Sequence, residues 1–195
     1  MSTIVLSGIT LGTVLPYLFN LSGVLIGDAG VNHYAEVHTT ALNSYCHTVG
    51  MPIFIYGTLL WFPVIFNDNY NYKLYTDIQR LLYTTYITHY ISIDYTIGAA
   101  VGVVYAVPLY YADHMIKNIF DLVQDTNDYK VQRSFNDTFN YIRVHVFVYG
   151  FSIAFAAMVF QEVFGHWLSG DPQSRLESVP NAILYAIYYS ISHIF

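Results

Sequence analysis

Residues 81 to 111 read LLYTTYITHYISIDYTIGAAVGVVYAVPLYY, an apolar stretch with a single charged residue, Asp94, near its middle. The stretch is long enough for one tilted membrane-spanning helix, which needs roughly 20 apolar residues. A carboxylate at the centre of such a helix is costly in hydrocarbon, and Gly98 follows four positions later. We therefore expect a break between Asp94 and Gly98 that divides the stretch into two short helices.

The whole chain shares this apolar character. Only 10% of its 195 residues are charged, against ~25% in ordinary soluble domains, and no Lys or Arg precedes Lys73. This composition predicts one integral-membrane domain that covers residues 1–195, with the lipid membrane as a partner. The net charge of −6 and the pI near 5.6 argue against nucleic acid as a partner.

Apolar stretches recur along the chain, and each is expected to form a helix because every backbone amide in hydrocarbon must be paired within its own segment. Transmembrane strands alternate apolar and polar residues, whereas a segment such as FSIAFAAMVF is apolar all round. The predicted fold is therefore an all-α, multi-pass transmembrane helical bundle with short helices. Its five apolar stretches cover roughly 3–27, 51–66, 81–111, 144–160 and 178–195.

The segment from 112 to 143 has a different character, since it holds nine of the chain's 20 charged residues. We expect it to be a loop that faces water. Within it, apolar residues follow a spacing of three to four, which predicts an amphipathic helix lying at the membrane interface. These apolar residues are Ile116, Ile119, Phe120 and Val123.

The positions of lysine and arginine predict the topology. Loops 67–80 and 112–143 carry most of these residues, so the positive-inside rule places both loops on the cytosolic side. Both can lie there only if stretch 81–111 crosses the membrane an even number of times, which agrees with a break in its middle. Segments 28–50 and 161–178 are then expected together on the opposite face.

The motif HTTALNSYCHTVGMP carries two histidines, His38 and His47, nine positions apart. In one continuous helix they would point to opposite sides, because nine steps of ~100° end half a turn away. They can reach one site only if the helix begins between them, and Thr39 and Thr40 are candidate N-caps for that helix. Asn43 and His47, four apart, then share one face.

A second motif, QEVFGHW, lies in the segment expected on the same face. It places Glu162 four residues before His166, with Gly165 giving room for close backbone approach. Two or three imidazoles and one carboxylate, with coordination positions left open, suit non-heme Fe(II) and its chemistry with oxygen, and zinc is the main competitor. The candidate metal ligands are His38, His47, His166 and Glu162.

A family resemblance rests on the order of five residues in the first motif and on the later Gly-His pair. These residues are His38, Asn43, His47, Gly50, Pro52, Gly165 and His166. The pattern resembles the Mpo-like family, small membrane proteins of the endoplasmic reticulum with bacterial relatives. The resemblance covers residues 30–66 and 155–185, under half of the chain. It implies an Fe(II)-dependent dioxygenase of lipid catabolism that uses molecular oxygen to shorten a 2-hydroxy fatty acid by one carbon through α-oxidation.

Roles for the candidate residues follow from this resemblance. The three histidines are expected as imidazole ligands, and Glu162 as a carboxylate ligand or as a catalytic partner that orients an imidazole. Asn43 is expected to hydrogen-bond substrate or oxygen. The family has a glutamine four residues before the histidine of Gly-His, where this chain has Glu162, with Gln161 one position earlier. The sequence leaves open which of the two takes the role of that glutamine.

Two other functions stay open at this point. One is a zinc-dependent membrane lipid hydrolase, and the other is a non-enzymatic membrane scaffold in which the histidines satisfy buried hydrogen bonds. Metal content separates the three functions, because iron indicates the oxygenase, zinc indicates the hydrolase, and no metal indicates the scaffold.

Overall fold

The computed structural model describes residues 3–21, 28–36, 38–67, 71–125, 132–172 and 179–192. Within these ranges the chain is helical and has no strand, which confirms the all-α prediction. The elements in these ranges are α1 Thr3–Leu21, α2 Asp28–Glu36, α3 Ala41–Phe66, α4 Tyr72–Ile93, α5 Tyr95–Asp125, α6 Gln132–Phe160, a π-helical turn Gln161–Trp167 and α7 Val179–Ser192.

Three of the described helices are long and apolar enough to cross a membrane, and they indicate a membrane protein. These segments are Ala41–Phe66, Tyr95–Leu122 and Asn140–Trp167. At ~1.5 Å per residue, the 26 residues of α3 extend for about 39 Å, more than the ~30 Å of a bilayer's hydrocarbon core. The helices are thus longer than the apolar stretches that predicted them, because polar residues at their ends continue the helical path.

The predicted break falls where the sequence placed it, since α4 ends at Ile93 and α5 begins at Tyr95. Asp94 joins them: its Oδ1 accepts a hydrogen bond from the Ile97 amide at 2.9 Å, and its carbonyl accepts one from the Gly98 amide at 2.8 Å. The carboxylate thus serves as the N-cap of α5. The two helices are not short, however, because α4 begins before residue 81 and α5 continues beyond residue 111.

The amphipathic segment 113–125 is helical, as expected, but it continues α5 instead of forming a separate helix. Its apolar face is turned inward, where Ile116 and Phe120 are buried in the core. The side chain of Val123 lies outside the described residues. Prediction of a separate interfacial helix is therefore wrong for this segment, because these apolar side chains pack on protein.

Helix α3 lies at the centre of the packing, in contact with α4, α5, α6, the π-helical turn and α7. Its crossing with α6 is close because glycines face each other there. A Cβ added at Gly57 would lie 2.6 Å from the Gly150 carbonyl oxygen, and one at Gly150 would lie 2.7 Å from Leu60 Cβ. Small residues of this kind let apolar helices approach closely. The crossing sets the position of α6 and of the π-helical turn that follows it.

Candidate metal centre

Helix α3 begins between the two histidines of the first motif. Thr40 is its N-cap, and the Thr40 hydroxyl accepts a hydrogen bond from the Asn43 amide at 3.3 Å. His38 therefore stands in the turn before the helix and His47 on its second turn. Their Nε2 atoms lie 3.1 Å apart, as the expected helix start requires.

His166 joins this pair from the π-helical turn, with its Nε2 atom 3.4 Å from His47 Nε2. All three rings are buried, with exposed fractions of 3%, 3% and 0% for His38, His47 and His166. One ring nitrogen from each lies within 4.8 Å of those of the others, so the group can hold a metal ion. Segments 28–50 and 161–178 were predicted to lie on the same face, and their histidines do lie together in this group.

Each of the three rings is held at its other nitrogen, Nδ1. His38 Nδ1 donates to the Tyr34 carbonyl at 2.7 Å, and His166 Nδ1 donates to the Pro172 carbonyl at 2.8 Å. His47 Nδ1 donates to Gln161 Oε1 at 2.7 Å. A carbonyl oxygen only accepts, so the hydrogen-bond network assigns the ring proton to Nδ1 in all three cases. Each Nε2 therefore turns a lone pair toward the other two.

Gln161 is itself fixed in orientation. Its Nε2 donates to the Ala157 carbonyl at 3.1 Å, which leaves Oε1 to face His47. Gly50, a member of the first motif, makes room for this side chain, because a Cβ at that position would collide with Gln161 Cγ and Cδ. Gly165 has a similar role, since a Cβ there would lie 2.9 Å from Asn43 Oδ1.

The π-helical turn explains why Gln161, and not Glu162, contacts the site. The Leu168 amide donates to the Val163 carbonyl at 3.0 Å, five residues earlier. This wider turn brings residues five apart onto nearly the same face, so Gln161 and His166 both point at His47. The structure thus gives Gln161 the contact that the sequence left open between two neighbours.

The two remaining predicted site residues lie beside the histidines. Glu162 is not part of the group of mutually close ligand atoms, and instead it lines a cavity next to His47. Asn43 is fully buried, and its amide donates to Asp171 Oδ2 at 2.8 Å and lies 3.4 Å from His166 Nδ1. Asn43 is therefore engaged with protein groups at the edge of the site.

Sequence reasoning missed Asp171, which ties the two motifs together. It accepts hydrogen bonds from Thr39 Oγ1 at 2.5 Å, from the Thr40 amide and hydroxyl at 3.1 and 2.9 Å, and from Asn43. Burial opposes the charge on Asp171, but these hydrogen bonds together bring its pKa well below the usual range. A carboxylate suits the N-terminus of α3, yet the sequence did not show which helix end it would meet.

Electrostatics keep His38 neutral. Burial and the neighbouring His47 lower the pKa of His38 from 6.5 to about 3, so His38 carries no second proton near neutral pH. With Nδ1 protonated and no second proton on the ring, His38 Nε2 cannot donate to His47. Two lone pairs at 3.1 Å repel each other unless a cation lies between them.

The spacing of the nitrogens fits a shared ion. Two nitrogens ~2.1 Å from one metal lie roughly 3.0 Å apart at a right angle and roughly 3.4 Å apart at the tetrahedral angle. The observed separations are 3.1 and 3.4 Å. Three neutral imidazoles suit zinc and iron alike, so this donor set does not select one of them.

Comparison of the chain with protein-family models, with curated proteins and with solved structures gives no match. Fold and site together define a helical protein with membrane-span-like helices and a buried three-histidine group that can bind a metal ion. Because a fold hosts many activities, the chemistry of this site has to indicate the function.

Proposed function

We propose that this chain is a membrane-embedded, Fe(II)-dependent dioxygenase that converts a 2-hydroxy fatty acid, by α-oxidation, to the acid one carbon shorter. The observation that carries the proposal is the convergence of three imidazole Nε2 atoms whose protons all lie on Nδ1. Iron and the hydroxy acid are favoured over other ions and substrates by the resemblance of the two histidine motifs to the Mpo-like family.

The proposed reaction balances with oxygen as the sole oxidant. A 2-hydroxy acid and one O₂ give the shorter acid, CO₂ and water. Bound Fe(II) would supply the capacity to react with oxygen, a capacity that protein side chains lack. Three protein ligands leave coordination positions open for small molecules. His38, His47 and His166 would hold the ion.

The other residues of the site keep these ligands in place. The Tyr34 and Pro172 carbonyls and the Gln161 amide fix the three ring orientations through Nδ1, an outer-shell role that also raises the basicity of a ligand. Asp171 ties the turn before α3 to the turn after His166. Burial of the rings excludes bulk water from the nitrogens.

The proposed setting is the lipid membrane, with the endoplasmic reticulum suggested by the family resemblance alone. Two of the three candidate spans, Ala41–Phe66 and Asn140–Trp167, carry His47 and His166 near their ends. A site near the end of a membrane span suits a substrate whose polar end lies at the bilayer surface and whose tail lies in hydrocarbon. The proposed partners are therefore the membrane, a 2-hydroxy fatty acid and molecular oxygen.

Metal analysis and turnover of the purified protein test the proposal together. We expect close to one equivalent of iron after anaerobic loading with Fe(II), and oxygen-dependent conversion of a 2-hydroxy C16 acid to the C15 acid. His47→Ala should abolish both the iron content and the turnover. His145→Ala is the matched control, because His145 is exposed on α6 and, among the described residues, hydrogen-bonds only the Tyr141 carbonyl of its own helix.

Other outcomes overturn the proposal. One equivalent of zinc together with ester hydrolysis would establish the lipid hydrolase instead. No bound metal, with an unchanged lipid profile in cells that carry His47→Ala, would establish a scaffold in which the histidines have only a structural role.

A further inference from the structure

A cavity of about 400 Å³ adjoins the histidine group. His47, Gln161 and Glu162 are the polar residues on its wall, and the rest of the lining is apolar. The cavity lies between α3, the end of α6 with the π-helical turn, and α7. Its volume falls within the range of ~300–1,000 Å³ typical of sites for small organic ligands.

The walls of this cavity suit a flexible aliphatic chain. Met51 and Met158 lie on opposite helices, and methionine adapts to apolar ligands of varied shape. Met158 and Val159 are about two-fifths exposed, at 39% and 41%, and they belong to a candidate membrane span. This side of the cavity therefore meets the hydrocarbon of the bilayer, from which a lipid tail can enter.

Glu162 adds a specific requirement to this apolar wall. Its carboxylate has no hydrogen bond or ion pair within the described residues. A partly buried carboxylate without a hydrogen-bond partner favours a ligand that donates a hydrogen bond to it. A hydroxyl group on the ligand meets this requirement.

We infer that the cavity is the binding site for a single hydroxylated acyl chain, with the functionalised end at His47, the hydroxyl donating to Glu162, and the tail between Met51 and Met158. This inference deepens the proposed function and rests on it for the reaction, but the binding site itself can be tested without turnover.

Phe54 then sets the length of chain that the cavity accepts. It lines this cavity and also a second apolar cavity of about 160 Å³ formed by α3, α4 and α5. Replacing Phe54 by Ala should connect the two cavities. The variant should prefer longer chains than the wild type does, a gain that a misfolded protein cannot show.

The test is photo-crosslinking of the iron-loaded protein in detergent with a 2-hydroxy C16 acid that carries a terminal diazirine, followed by peptide mapping. We expect saturable labelling of peptides from α3, the π-helical turn and α7. Ala186→Phe should fill the cavity and abolish labelling, while the metal content stays unchanged because Ala186 lies on α7 and the three histidine ligands come from other segments. Ala182→Phe provides a second filling variant if the first does not fold.

Competition by unlabelled acids tests Glu162. Wild-type protein should prefer the 2-hydroxy acid over the unsubstituted acid on the order of tenfold or more, as expected for a hydrogen bond to a charged group. Glu162→Leu should remove this preference and keep the metal. An equal preference in wild type and variant would overturn the role of Glu162.

Failure of the two proposals can be told apart. Labelling that is absent from α3 and α7 in the metal-loaded wild type would overturn the binding site and leave the dioxygenase proposal standing. Saturable labelling without oxygen-dependent turnover would overturn the dioxygenase proposal and leave the binding site standing.

Discussion

At the scale of single residues, the proton on each Nδ1 decides what the histidine group can do. His47 depends on a side chain for this, whereas His38 and His166 bond main-chain carbonyls. Substitution of Gln161 can therefore remove the hydrogen bond that fixes a metal-binding ring, the bond from His47 Nδ1. The partners of the other two histidines are the main-chain carbonyls of Tyr34 and Pro172, and a side-chain substitution does not remove a main-chain carbonyl.

Gln161→Leu should lower metal affinity by ~10- to 100-fold, the usual cost of removing an outer-shell partner of a ligand. Leu leaves the His47 Nδ1 proton buried without an acceptor, and the ring is no longer fixed. Competition with a chelator of known affinity measures the change. Glu162→Leu, one position along, is the control and should keep wild-type affinity. Equal losses in both variants would contradict the assignment of Gln161.

Asp171 carries a pH dependence of stability. Its pKa is lowered on folding, so its contribution is present above the unfolded value of ~3.9 and is lost as the pH falls below it. Asp171→Asn should reduce the free energy of unfolding by about 1–3 kcal/mol near neutral pH, the usual effect of losing hydrogen bonds to a charged group.

The difference between wild type and Asp171→Asn should then shrink below pH ~4, where Asp171 becomes protonated in the unfolded wild-type chain but stays ionised in the folded protein. Chemical unfolding of both proteins in detergent between pH 3 and 7 measures this, and the titration of His38 largely cancels because both proteins carry it. A difference that stays constant down to pH 3 would show that Asp171 is not stabilised as a carboxylate.

Residue type and local spacing were enough to predict the pair His38 and His47, because imidazole chemistry and the Thr40 cap are visible within one short motif. His166, in the second motif, was added by the expectation that both motifs lie on the same face. Residue type and local spacing were not enough for Gln161 or Asp171. The Gln161 contact with His47 joins residues 114 positions apart, and Asp171 meets Thr40 across 131 positions. Contacts of this kind depend on how the helices pack, which a single sequence does not display.

At the scale of helices, features that depend on local sequence were predicted, and features that depend on how the helices pack were not. The break at Asp94 was predictable, since it follows from the local cost of a carboxylate in an apolar helix. The true lengths of α4 and α5 were not, because their polar ends are helical through contacts such as the hydrogen bond from Tyr72 to Asp113, at 3.0 Å. The π-helical turn likewise leaves no mark in the hydrophobic pattern.

Deleting Val163 tests the function of the π-helical turn. The deletion leaves Gln161 and the histidine of Gly-His four apart, and in a regular α-helix two such residues still share a face. We expect the variant to keep its metal. Deleting Val159, four residues earlier in α6, is the control, because it rotates both residues by ~100° relative to the rest of α6 and should abolish binding.

Metal stoichiometry of the two purified deletion variants gives the answer. If removal of Val163 abolishes metal binding as completely as removal of Val159, the π-helical turn itself is required. A four-residue spacing between Gln161 and the histidine in a regular α-helix would then not replace the five-residue spacing of the wild type.

At the scale of the whole molecule, the histidine group lies at the beginning of α3, whereas Lys73 follows the other end of α3, in the first turn of α4. Charge positions and the parity of crossings predicted this arrangement, and the meeting of the two histidine motifs agrees with it. The even number of crossings by stretch 81–111 stays a prediction, because α5 is among the described helices long and apolar enough to span a membrane and α4 is not. The orientation of the bundle, by contrast, follows from a few lysines and arginines.

Labelling with a membrane-impermeant maleimide in cells tests whether α3 crosses the membrane and which side Lys73 faces. In a Cys46→Ser background, which removes the chain's one cysteine, Asn32→Cys on α2 and Lys73→Cys on α4 place thiols at exposed positions separated by α3 alone. We expect the cysteine at 73 to react from the cytosolic side and the cysteine at 32 from the opposite side, because α3 is long enough to cross the bilayer. Labelling of both from one side would show that α3 does not cross, and the histidine group would then lie on the same side as Lys73.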